Sequence, residues 1–139
     1  MKKYLTTLFL LLTACTPSMW QMKTDCKLSN DELFKKITAV LLQERFIIKA
    51  SEEKLGYLQA ESLPEYVPAF GLKETHYWTF QSINGTITAS ASWATQGGQS
   101  SSVTYMNDGT AAKIKWYWNV RNALESLCGN KLTFIEIAN

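Results

Sequence analysis

Apolar positions recur along this chain with two different periods, and each change of period marks an element. Ser29-Asn30-Asp31-Glu32 has the arrangement of a capping box, in which a serine hydroxyl accepts from the amide three residues on and a glutamate reaches back to satisfy orphan donors. Leu33, Ile37, Val40 and Leu41 follow at helical spacing with Lys35, Lys36, Gln43 and Glu44 opposite them, which predicts an amphipathic helix over residues 30–44. Its acids stand at the N-terminal end, where the helix dipole favours them. From Arg45 the period falls to two. Phe46, Ile48 and Ala50 alternate with Ile47 and Lys49, and beyond the charged turn Ser51 to Lys54, Leu58 and Ala60 alternate with Tyr57, Gln59 and Glu61. This pattern predicts a β-hairpin. Residues 63–74, with Pro64, Pro68 and Gly71, break any regular pattern and read as a long irregular loop.

Asn84-Gly85 between two alternating runs calls for a two-residue type I′ turn, because both central positions need positive φ. Such a turn fixes the register: Ser82 faces Ile87, Phe80 faces Ala89, Trp78 faces Ala91 and His76 faces Trp93. Large aromatics opposite alanines make a core face, and the opposite row of Thr, Ser, Tyr77 and Gln81 makes a solvated one. Residues 94–102 are a flexible loop by composition, and Ser102 to Met106 resume alternation as a fifth strand. Asn107 to Thr110 turn into a second helix whose stripe is Trp116, Val120, Ala123 and Leu127, and Gly129 ends it. Leu132 to Ile137 adds an edge strand. Residues 16–25 show no period and read as a tether.

The N-terminus has another logic. Lys2 and Lys3 precede an apolar run from Tyr4 to Leu12, and Leu12-Thr13-Ala14-Cys15 closes it before Thr16, Pro17 and Ser18 interrupt. A basic start, about ten apolar residues and a small residue before the cut describe an export signal; a spanning helix needs about 20. The four residues 12–15 resemble the lipobox of bacterial lipoproteins. That resemblance implies cleavage after a signal peptide at 1–14 and a diacylglyceryl lipid on Cys15; the pattern downstream then reads as a tether to residue 28 and one globular domain over 29–139. It further implies an envelope address. Thr16 in place of the aspartate that retains such proteins at the inner membrane points to the outer membrane, facing the periplasm.

Charge and cysteines follow from that processing. Of the 14 Lys and Arg, Lys2 and Lys3 leave with the signal, and all 12 Asp and Glu lie downstream, so the mature domain is formally neutral. With no basic cluster there is no electrostatic reason to bind nucleic acid. With Cys15 lipidated, Cys26 and Cys128 are left in an oxidising compartment and are expected to pair. No C-x-x-C motif is present, and one histidine cannot complete a tetrahedral metal set, so neither metal nor cofactor is expected. A bridge brings its Cα atoms within about 4.4 to 6.8 Å, so the start of the first helix must meet the end of the second. The expected fold is α+β: a two-layer sandwich with two helices packed on one face of an antiparallel sheet of about five strands. Its element order is similar to the helix-grip domains of some outer-membrane assembly lipoproteins, a likeness that carries no function across.

Candidate chemistry is sparse. His76 is the only histidine, and no G-x-S-x-G or comparable motif supplies a nucleophile to accompany it. A packed structural histidine is expected. Trp116, Tyr117 and Trp118 cannot all face one core; Trp116 takes the stripe, Tyr117 its margin, and Trp118 is left largely outward, as packing for the tail or as a partner surface. The loop carries Tyr66, Val67 and Phe70, which either present themselves to a partner or plug a core edge. Tyr66, Val67, Phe70 and Trp118 are the candidate binding residues. The sequence reads as a non-enzymatic binding or scaffolding module with an envelope partner, and the alternative is a carrier of small apolar ligands.

Overall fold

A computed structural model describes residues 19–68, 71–98, 100–102 and 115–137. The elements are β1 (Met19–Asp25), α1 (Asn30–Gln43), β2 (Phe46–Glu52), β3 (Tyr57–Ser62), β4 (Glu65–Val67), β5 (Leu72–Ile83), β6 (Thr86–Thr95), β7 (Ser100–Ser102), α2 (Lys115–Cys128) and β8 (Thr133–Ile137). All pairings are antiparallel. The main path of the sheet is β2-β3-β5-β6-β1-β8, with short β4 beside β5 and short β7 beside β6. Both helices cover one face, and the fold is the expected two-layer α+β sandwich with more strands than the five anticipated.

The first helix follows its sequence closely. Ser29 Oγ accepts from the Glu32 N–H at 3.3 Å, while the Glu32 carboxylate pairs with Lys36 one turn on. Leu33, Ile37 and Leu41 are buried as the stripe requires, and Phe34 joins them. The second helix is turned by one residue from the expected phase. Tyr117, Val120, Leu124 and Cys128 are its buried positions, and Trp116 and Leu127 only flank the core. Apolar neighbours at 116/117, 123/124 and 127/128 allow either phase. The Cys26–Cys128 bridge, with Cα atoms 4.5 Å apart, selects the one that aims Cys128 at the start of α1.

The Asn84-Gly85 hairpin has the expected register throughout, including His76 opposite Trp93 and Trp78 opposite Ala91. Asn84 (φ 51°) and Gly85 (φ 78°) supply the two positive φ values. Trp78 fills the centre of the core, stacked between Phe80 at 5.4 Å and Tyr117 at 5.7 Å. The bulge between Ile48 and Ala50 shifts the β2–β3 register beyond the sequence pattern.

Three expectations are corrected. Residues 19–25 are no tether: they form β1, which lies between β6 and β8 with Met22 and Thr24 buried. Residues 63–74 are no irregular loop: β4 pairs with the start of β5, Tyr66 opposite Lys73 and Val67 opposite Leu72, around a turn closed by Gly71 N–H to Val67 O. Residues 94–102 are no open loop: β6 runs to Thr95, and Ser100–Ser102 already pairs back onto it. The expected edge strand at Leu132 to Ile137 is present as β8. Cys15, residues 1–14, Phe70, Val103 to Met106 and the turn at Asn107 to Thr110 lie outside the described residues.

Candidate functional site

The β4–β5 hairpin stands at the sheet end toward which β1 runs back to Met19 and β6 runs out to Thr95. It forms because two prolines, Pro64 and Pro68, bracket only three residues able to pair, so β4 is short and β5 continues past it. Cross-strand neighbours share a face, so Val67 and Leu72 lie together on one side and Tyr66 and Lys73 on the other. Tyr66 is 63% exposed and Leu63, just before the hairpin, 62%; Leu72 is exposed and Val67 half-buried. The hairpin therefore presents apolar side chains that the core does not take. Sequence reasoning had singled out Tyr66 and Val67 but missed Leu63 and Leu72. Leu72 continues the period-two row of His76, Trp78 and Phe80 beyond the end of the core, and Leu63 stands outside any alternating run.

Trp118 proves to be a packing residue. It is partly buried against the core edge, with Tyr117 edge-on at 5.6 Å. The Arg121 guanidinium lies 4.6 Å over its ring and 4.9 Å over Phe134 of β8. This joins α2 to the last strand. The outward surface expected for Trp118 is thus occupied from within the chain.

His76 lies beneath the hairpin in β5, buried, with Nε2 2.6 Å from Glu74 Oε1 and its ring 4.8 Å from that of Trp116. Its backbone N–H donates to Ser62 Oγ, which in turn donates to Leu63 O. The serine hydroxyl is committed to the backbone rather than to the imidazole. Buried Nδ1 has no hydrogen-bond partner among the described residues. An acid–imidazole pair is present, with no nucleophile assembled on it among those residues. The pair lies within β5; the ties from this position to other elements are the His76 backbone N–H to Ser62 of β3 and the ring contact with Trp116 of α2.

A depression of about 480 Å³ lies at the other end of α2, lined by Asn122, Glu125, Ser126, Gly129, Asn130 and Lys131. A carrier of apolar ligands needs a concave, mostly apolar site of roughly 300 Å³ or more. Residues of these types give the carrier no support. Glu125 accepts here from the Leu132 N–H at 3.1 Å and from Lys131 Nζ at 3.2 Å, with Arg121 3.8 Å away. Burial acts to raise its pKa, but the Leu132 N–H and the two cations outweigh burial and hold the carboxyl below its ordinary range. The group serves to fasten β8. Among the described residues no cluster of three or more His, Cys, Asp or Glu is placed to hold a metal, and no helix is long and apolar enough to cross a membrane.

No family model matches the chain, and no curated protein matches it in sequence.

Proposed function

We propose that the chain is an envelope lipoprotein, anchored by a diacylglyceryl group on Cys15 in the periplasmic face of the outer membrane, whose domain is a non-enzymatic binding or scaffolding module. The address rests on Lys2, Lys3, the apolar run and Leu12-Thr13-Ala14-Cys15. The observation that carries the binding role is the β4–β5 hairpin, whose Tyr66 is 63% exposed while the aromatic residues around Trp78 are buried. A Cys26–Cys128 bridge suits an oxidising compartment.

The decisive test is Cys15→Ser in cells fed an alkyne fatty acid. Wild-type protein should take up the label and float with membranes. The variant should take up none and accumulate as uncleaved precursor, because only the Cys15 thiol accepts the lipid. Label retained on Cys15→Ser overturns the reading.

A further inference from the structure

We infer that the β4–β5 hairpin docks into the headgroup and shallow acyl region of the same bilayer that holds Cys15; this rests on the lipoprotein reading above. The inference comes from reach. Thr16, Pro17 and Ser18 are all that separate Cys15 from Met19, the first residue of β1. Fully extended, that link spans at most about 14 Å. Met22 opposite Ala89 sets Met19 level with Ser92, whereas Tyr66 is opposite Lys73, whose carbonyl accepts from the N–H of Gln96. From Ser92 to Gln96 is four residues of strand, about 13 Å. The hairpin thus projects beyond the start of β1 by nearly the full extended length of the tether. A domain held with this end toward the membrane brings the hairpin to the lipid surface.

Its side chains suit that contact. Leu63, Leu72 and Val67 offer apolar area, and a tyrosine has the amphipathic ring that sits at headgroup level. Lys73, opposite Tyr66, can keep its ammonium among the phosphates while its stem follows the apolar surface. Among the other exposed apolar residues, Leu55 (74%) and Ile83 (55%) lie at the far end of the sheet by the Asn84-Gly85 turn, and Ile47, opposite Glu61, and Ile135, opposite Gln21, stand farther back along the strands than the hairpin.

The test uses the full-length lipidated protein. With Cys15 lipidated and Cys26 bridged to Cys128, Tyr66→Cys carries the only free thiol, and Lys54→Cys, an exposed site beside Leu55, is its counterpart at the far end. Each is labelled with an environment-sensitive fluorophore and reconstituted into phosphatidylethanolamine–phosphatidylglycerol vesicles containing a lipid spin-labelled high on its acyl chain. Both sites are exposed, so both variants should melt as wild type does. Quenching at position 66 should exceed that at position 54 several-fold. Equal or absent quenching at 66 in protein that floats with the vesicles overturns the docking and leaves the anchor standing. A probe at 66 that is free in vesicles but shielded in native envelopes means that a protein occupies the hairpin, which also overturns it. Protein without fatty-acid label that fails to float refutes the lipoprotein reading and takes the docking with it.

Discussion

Glu125 shows how one side chain fixes the end of the chain. Its carboxylate holds the Leu132 N–H, Lys131 and Arg121, and Arg121 in turn covers Trp118 and Phe134. Since the folded pKa is depressed, the stabilisation it brings is complete above the unfolded carboxyl value of about 4.3 and is lost as pH falls through the lower folded value. Hydrogen bonds to charged groups are worth about 1.5 to 3 kcal/mol. Glu125→Ala should therefore destabilise the domain by about that much at pH 7 in urea unfolding, and by less at pH 3, below the unfolded carboxyl value, where part of the charge's contribution is gone. An equal loss at both pH values would mean that the charge contributes nothing and that only packing was removed. Only Arg121, four residues back on the same helix, was within reach of the spacing; Lys131 and the Leu132 N–H were not legible from Glu125, because they come from the tail beyond Gly129.

At the scale of elements, legibility followed locality. The hairpin at Asn84-Gly85 was readable residue by residue, since one turn type sets ten pairs. The strand β1 was not, because Met19–Asp25 pairs with β6 and β8, both distant in sequence, and Thr24, one of its buried positions, is polar and hides the alternation. Likewise β4 has three residues between prolines, fewer than a period-two pattern needs. The phase of α2 could be settled only by the bridge. The turn joining β2 to β3 was legible as a charged hairpin turn, but the seat of its Gly56 (φ 64°) on β5 was not: the Gly56 carbonyl accepts from Ser82 N–H, and a Cβ there would lie against Ser82 O. Gly71 in the β4–β5 hairpin has nearly the same φ, 63°, with nothing within 4 Å of its would-be Cβ. Left-handed backbone costs a residue with a Cβ about 1 to 2 kcal/mol, so Gly71→Ala should lose about that amount. Gly56→Ala should lose visibly more, because the β2–β3 turn must also move off β5. Equal melting shifts for the two variants would show that the turn yields freely and that its seat on β5 is soft.

In the whole molecule, the two ends of the domain are joined twice. The disulfide ties the start of α1 to the end of α2 across 102 residues, and β1 pairs with β8 over five positions, from Met19 opposite Ile137 to Lys23 opposite Thr133. Asn130 adds a bond from its side-chain amide to Asp25 O. The covalent tie acts mainly on the unfolded chain; closing a loop of about 100 residues is worth up to about 4.7 kcal/mol in the chain-entropy model, and strain or residual structure lowers this. The ladder acts only in the folded state and does not depend on the bridge. Reduction should therefore leave a folded domain with β8 still paired, while lowering its melting temperature. With about 3 kcal/mol removed, the shift should be of order 10 °C for a domain of this size. The guanidinium m-value should rise, since the reduced unfolded chain is freer to expand. Amide exchange gives the sharper reading: the N–H groups of β8 should remain protected in the reduced protein under native conditions. Their loss while β5, β6 and β1 stay protected would show that the bridge, and not the ladder, holds the last strand in place, and that the sheet proper ends at β1.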